Sequence, residues 1–170
     1  LSAGASNSTL IGGLGSDTLN GGIGNDSLLG GGGDDVLTGN AGADTLTGGS
    51  GTDTANYNTA AAGVAVSLDG TVGSAGDALG DVLSGIEVLV GSAFADALGG
   101  GTGSETIFGG LGDDRILGSA SSDEIDGGDG NDLIDYSASA NAVTVSLDGS
   151  LGIGGDASGD VLLSVEGIVG

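Results

Sequence analysis

A nine-residue glycine-aspartate period limits what this chain can fold into more than any other feature. From Gly12 it reads GGLGSDTLN, GGIGNDSLL, GGGGDDVLT, GNAGADTLT and GGSGTDTAN, with starts at Gly12, Gly21, Gly30, Gly39 and Gly48. A second run reads GSAFADALG, GGTGSETIF, GGLGDDRIL, GSASSDEID and GGDGNDLID, with starts at Gly91, Gly100, Gly109, Gly118 and Gly127. The sixth position is acidic throughout: Asp17, Asp26, Asp35, Asp44 and Asp53, then Asp96, Glu105, Asp114, Asp123 and Asp132. The eighth is apolar: Leu19, Leu28, Leu37, Leu46 and Ala55, then Leu98, Ile107, Ile116, Ile125 and Ile134.

Each position has a physical job. Gly at positions 1, 2 and 4 permits positive φ and close backbone approach, so the first six residues read as a tight turn. Positions 7 to 9 are too short for a helical turn with a buried face. They alternate around one apolar residue, which predicts a short strand. Proline, which would remove ladder hydrogen bonds, is absent. Two nonapeptides per circuit give a flattened coil, with coils stacked at roughly 4.8 Å. The spacing predicts an all-β fold, a parallel β-solenoid with segment n above segment n+2. The eighth positions form its thin interior, and the sixth-position carboxylates form columns along its two edges.

Charge decides what such columns need. The chain of 170 residues carries 24 acidic residues and one base, Arg115, for a net charge of −23. Carboxylates about 4 Å apart repel by roughly 4 kcal/mol at an effective dielectric near 20. A hard cation removes that repulsion. Calcium accepts six to eight oxygens from carboxylates and backbone carbonyls, and glycine turns expose carbonyls. Magnesium keeps its waters and demands a stricter octahedron. His and Cys are absent, which excludes zinc sites with nitrogen or sulfur ligands, a Ser-His-Asp triad, a cysteine nucleophile and disulfides. Nucleic acid is excluded as a partner, because affinity there comes from Lys and Arg. Apolar runs are too short for membrane insertion.

GGxGxD followed by x-apolar-x resembles the repeats-in-toxin (RTX) calcium-binding nonapeptide, whose fold is the parallel β-roll. Ten copies in two unbroken runs carry the resemblance over residues 12–56 and 91–135. In that family an ion sits between turns of adjacent coils, held by Asp side chains and glycine-turn carbonyls. The resemblance implies multiple Ca2+ ions. Their implied ligands are Asp17, Asp26, Asp35, Asp44, Asp53, Asp96, Glu105, Asp114, Asp123 and Asp132. Gly12, Gly21, Gly30, Gly39, Gly48, Gly109 and Gly127 belong to the same turns. Three turns depart from the motif: Phe94 replaces a glycine before Asp96, Glu105 replaces Asp, and Ser119 and Ser121 replace glycines before Asp123. Weak or empty sites are expected there.

A longer period covers the rest. Residues 12–90 laid on 91–169 without a gap give 36 identities in 79 positions. The chain therefore reads as two tandem modules. Residues 1–11 are the end of a preceding module and 12–56 the first nonapeptide block. Residues 57–90 form a β connector, 91–135 the second block, and 136–170 a second connector with the start of a third module. VAVSLDG and VTVSLDG each predict one strand ending at an Asp-Gly turn. Residues 82–90 and 161–169 return to the nonapeptide frame, with Glu87 and Glu166 at position 6. Residues 57–81, not a multiple of nine, are expected to form a wider coil, a bulge or a small excursion, in which Asp77 and Asp81, like Asp156 and Asp160, are candidates for further ions. Tyr57 and Tyr136 are read as wedges, and Arg115 as a contact to a neighbouring carboxylate. Asp34 with Asp35, and Asp113 with Asp114, look like catalytic pairs, but the turn repeat accounts for them.

These features predict a calcium-binding structural segment with no enzymatic activity. By resemblance it belongs to an extracellular bacterial protein of surface-layer, adhesin or filament type, exported by type I secretion. Its expected partners are calcium and neighbouring modules, or further copies stacked end to end. The alternative is a non-catalytic accessory domain of a secreted enzyme or toxin.

Overall fold

Every eighth-position residue lies in a strand, and many strands run further than the sequence suggests. A computed structural model describes residues 1–170. It is built of parallel strands and contains no α-helix. The first block gives β1 (Thr9–Leu14), β2 (Thr18–Ile23), β3 (Ser27–Gly32), β4 (Val36–Ala41), β5 (Thr45–Ser50) and β6 (Thr54–Asn56). The connector adds β7 (Ala65–Ser67), β8 (Val82–Ser84) and β9 (Val88–Val90). The second block gives β10 (Ala97–Gly99), β11 (Thr106–Leu111), β12 (Arg115–Leu117), β13 (Glu124–Asp129) and β14 (Leu133–Asp135). The chain ends with β15 (Val161–Leu163) and β16 (Gly167–Val169).

Full-length strands cover positions 7 to 9 and then 1 to 3 of the next repeat. The paired glycines therefore lie inside the ladder, and the bend is confined to positions 4 to 6. Gly31 shows what the second position requires. Its φ is +113°, and an added Cβ would run into the Gly13 carbonyl.

Consecutive strands alternate between sheets. One sheet has seven strands in the order β15-β13-β11-β9-β6-β4-β2. The others run β1-β3-β5-β8 and β16-β14-β12-β10-β7. Register follows the predicted two-repeat spacing, with Leu10 beside Leu28 and Leu28 beside Leu46. The seven-stranded sheet carries one unbroken apolar ladder: Leu19, Leu37, Ala55, Leu89, Ile107, Ile125, Leu162. All of these are buried. Each large one contributes about 1.5–3 kcal/mol.

Equivalent strands change sides from one module to the next. β4 lies in the seven-stranded sheet, while β12, 79 residues later, lies in the five-stranded one. With β7 set aside as part of the excursion, the path from β4 runs through β5, β6, β8, β9, β10 and β11 to β12. That is an odd number of steps between alternating faces.

The connector differs from its sequence reading in one respect. Residues 82–90 keep Glu87 at position 6 and Leu89 at position 8, where Glu87 accepts the Asp53 amide and Leu89 lies beside Ala55. They also hold β8 at positions 7 to 9 of its own, so the six residues that elsewhere lie between successive stretches at positions 7 to 9 are reduced to residues 85–87. The frame is re-entered at Asp81, because Asp81-Val82-Leu83-Ser84 repeats the acid-x-apolar-x order of positions 6 to 9, and Leu83 is buried beside Leu46. VAVSLDG forms β7, with the Thr71 amide bonded to Asp69 Oδ1 at 2.8 Å in the Asp-Gly turn. VTVSLDG forms only an isolated bridge between Thr144 and Ile153, since no parallel strand lies beside it as β10 lies beside β7.

Candidate metal centre

The turns at positions 4 to 6 place the acidic residues, and the strands fix the spacing between them. Asp35 shows the unit. Its Oδ1 accepts the Asp17 amide at 2.7 Å, and its own amide donates to Asp53 Oδ1 at 2.8 Å. Its Oδ2 is buried and has no hydrogen-bond partner. The bond recurs along both edges: Asp26 amide to Asp44, Asp96 amide to Asp114, and Asp114 amide to Asp132, each with Oδ1 as acceptor.

The second oxygen is the chemically informative one. Oδ2 of Asp26, Asp35, Asp44, Asp53, Asp114 and Asp132, and Oε2 of Glu105, are buried without partners. A buried carboxylate oxygen left unpaired is costly, so a column of them calls for a cationic ligand. Space for one lies beside the first-position glycines. A Cβ on Gly21 would sit 2.7 Å from Asp26 Oδ2 and 2.8 Å from the Gly39 carbonyl oxygen. On Gly12 it would sit 2.7 Å from Asp17 Oδ2 and 2.5 Å from the Gly30 carbonyl oxygen. Gly30, Gly48, Gly109 and Gly127 repeat the arrangement, each with its own Asp and a carbonyl of the adjacent coil. At Gly39 the nearest atoms are those of the Asp44 side chain. A carboxylate and a carbonyl thus face one small volume, which only glycine leaves open. No three acidic side chains gather at one point, so the donors come as single carboxylates with carbonyls between them. This all-oxygen set suits a hard divalent cation and calcium above all.

Two of the departing turns are satisfied internally. Asp96 accepts the Ser92 amide on Oδ2 at 2.6 Å, and the Val64 amide and Ser92 hydroxyl on Oδ1. Asp123 accepts the Ser119 hydroxyl on Oδ2 at 2.8 Å. Glu105 turns one oxygen to the Gly103 amide at 2.8 Å and leaves the other unpaired.

Burial also shows in the acidities. Desolvation pushes Asp114 up to about 7, with the Asp96 amide opposing and the charges of Asp96 and Asp132 adding. Desolvation, then the charge of Asp123, pushes Glu105 up to about 7. Asp44, Asp53 and Asp132 are raised as well, first by burial and partly offset by the amides they accept.

Three residues of this network escape the nonapeptide pattern. Asp81 and Asp160 are not strays of the excursion but stand in the columns, accepting the Asp44 amide at 2.8 Å and the Asp123 amide at 3.0 Å. The signal for that placement is the acid-x-apolar order that follows each. Asp126 holds a buried, partnerless Oδ1 at position 9, where no pattern marks it. Asp77 and Asp156 lie apart, in the 3-10 turns Gly76–Ala78 and Gly155–Ala157. The paired acids diverge. Asp35 is buried, whereas Asp34 is exposed and accepts the Thr52 amide; Asp113, exposed beside buried Asp114, accepts the Asn131 amide. Arg115 pairs with Asp135 of the neighbouring strand.

A family model described as "RTX calcium-binding nonapeptide repeat (4 copies)" matches residues 1–28, 21–55 and 99–134, together more than half of the chain. No curated protein matches the sequence.

Proposed function

The chain belongs to the RTX calcium-binding nonapeptide repeat family, and from that premise we propose that it is a structural rod segment of an extracellular bacterial protein whose folding and rigidity depend on Ca2+. The observation that carries the proposal is the set of buried, partnerless carboxylate oxygens aimed at glycine cradles. Asp17, Asp26, Asp35, Asp44, Asp53, Asp114 and Asp132 would hold the ions, together with carbonyls such as those of Gly30 and Gly39. Asp96, Glu105 and Asp123 would hold them more weakly, since hydroxyls and amides already occupy much of their capacity. Calcium, when bound, supplies positive charge and accepts six to eight oxygens.

The chain's own residues do the rest. A net charge of −23 keeps the unfolded chain expanded. The apolar ladder is one side chain thick and does not by itself outweigh two columns of stacked carboxylates. Ordering is therefore coupled to neutralising those columns. Extracellular sites of about 10⁻⁴–10⁻³ M affinity suffice for such a switch. A surface-layer, adhesin or filament setting fits a rigid repeat, with neighbouring modules or further copies as partners. RTX repeats typify secreted bacterial proteins, and type I export of an unfolded chain accords with folding delayed until calcium is met. No helix of the structure is long and apolar enough to cross a membrane.

The test is a calcium titration of chelator-treated protein, followed by circular dichroism and light scattering, with magnesium as control. Strand signal and compaction should rise together with calcium and far less with magnesium. Equal strand content in chelator overturns the proposal.

A further inference from the structure

Two of the column carboxylates meet a buried tyrosine. Asp81 and Asp160 are fully buried and accept the amide of the preceding rung on Oδ1, as Asp35, Asp44, Asp53, Asp114 and Asp132 do. Their second oxygens, however, are not free. Tyr57 donates its hydroxyl to Asp81 Oδ2 at 2.9 Å, and Tyr136 donates to Asp160 Oδ2 at 2.6 Å. Each tyrosine lies 24 residues before its aspartate and is itself buried.

The frame explains how the hydroxyl arrives there. Tyr57 follows Gly39, and Tyr136 follows Gly118, by one full coil, so each tyrosine stands where a first-position glycine belongs. Elsewhere that glycine leaves room beside the sixth-position oxygen. Here a ring fills the room, and an added Cβ on Gly118 would run into the ring of Tyr136. A phenol keeps its proton below about pH 10, so it remains a donor throughout the physiological range.

We propose that Tyr57 and Tyr136 terminate the cation columns: the hydroxyl takes the carboxylate oxygen that is unpaired at rungs such as Asp35, Asp44, Asp53, Asp114 and Asp132, so the Asp81 and Asp160 rungs stand without a metal ion. The inference rests on the calcium reading above. It makes each connector a metal-free joint. Each module carries one such tyrosine-capped rung, on opposite edges in successive modules, because Asp81 precedes β8 and Asp160 precedes β15 in a different sheet.

The experiment counts calcium per chain, by equilibrium dialysis and atomic absorption, in the intact 170-residue protein and its variants. Asp81→Asn and Asp160→Asn should leave the count unchanged, whereas Asp44→Asn should lower it by at least one ion. Loss of an ion in Asp81→Asn or Asp160→Asn, alongside loss in Asp44→Asn, overturns this inference alone. A wild-type chain that takes up no calcium overturns the calcium reading and this inference with it. Tyr57→Phe guards against variants that fail to fold, since it removes one hydroxyl and keeps the ring. It should keep the wild-type count and lower the urea midpoint in saturating calcium, because Asp81 Oδ2 loses its donor. A lowered count, or an unmoved midpoint, also overturns the inference.

Discussion

The backbone amide of Asp35 donates to Oδ1 of Asp53 at 2.8 Å, one coil away, while Oδ2 of each aspartate has no partner. One carboxylate thus divides its oxygens: the first ties coils together, and the second is left for the cation proposed above.

Asp35→Asn separates those two roles. Asparagine keeps the Oδ1 acceptor, and its amide nitrogen lies on the side of the Gly48 carbonyl, 2.7 Å from where a Gly30 Cβ would be. The charge is lost. In saturating calcium the variant should be less stable, by about 2.7 kcal/mol if the lost site was filled at 100 times its dissociation constant. In chelator it should be at least as stable as wild type, since a buried charge has gone. Urea midpoints with and without calcium check both signs; a variant weaker in both conditions contradicts the division of labour.

Gly21→Ala tests the cradle. The new Cβ would lie 2.7 Å from Asp26 Oδ2 and 2.8 Å from the Gly39 carbonyl oxygen. Both contacts are too short, and one partner is backbone of the neighbouring coil. The substitution should cost about 1–3 kcal/mol through overpacking and remove calcium from that turn. Gly4→Ala is the control, because nothing lies within 4 Å of its added Cβ. Calorimetric calcium titration of the two variants distinguishes them.

Much of this architecture is legible in the sequence, for a definite reason. In a solenoid each residue's neighbours are its own equivalents one coil away, so a period in sequence becomes a contact in space. Leu19 beside Leu37, and Asp17 beside Asp35, follow from spacing alone. Strand length does not, because glycine reads as a turn residue, whereas Gly12 and Gly13 lie within β1. The column position of Asp81 is hidden because the connector breaks the period. The acid-x-apolar order after Asp81 is a faint signal, and the packing of Leu83 beside Leu46 fixes where the frame resumes. The partners of Asp96 and Asp123 are hidden for another reason. Ser92 and Ser119 are visible as departures from glycine, but a hydroxyl's direction is not written in the sequence.

Acidity gives a third prediction. Burial first, with neighbouring charges adding, holds Asp114 and Glu105 up to about 7 in the folded chain, against ordinary values of 3.8 and 4.5. Burial likewise raises Asp81 to about 7 and Asp160 to about 6. A raised folded pKa means that the fold holds its protons more tightly than the unfolded chain. The stabilisation is present below about pH 4 and is lost as pH rises through about 7. Calcium-free protein should therefore gain strand signal on acidification across that window. Calcium uptake should weaken over the same range, as protons take the same oxygens. Dichroism in chelator and calcium uptake, each measured across pH, report the two halves. A calcium-free signal that falls with acidification contradicts the expected sign.

The thinness of the core makes a fourth. Leu37 is fully buried in the seven-stranded sheet, between Leu19 on one side and Ala55 on the other. Ala55 is already the smallest member of its ladder, so truncating Leu37 would leave two adjacent rungs with little to fill the interior. Leu37→Ala should cost about 2–5 kcal/mol, toward the upper end if the strands cannot close the gap. Leu14→Ala, at a side chain 96% exposed, should cost almost nothing. Urea unfolding in saturating calcium gives both values. It must be done with the columns filled, because without calcium the carboxylates, not the core, would set the midpoint. A Leu37→Ala loss no larger than that of Leu14→Ala would mean that the apolar ladder contributes little and that the ions alone hold the coils together.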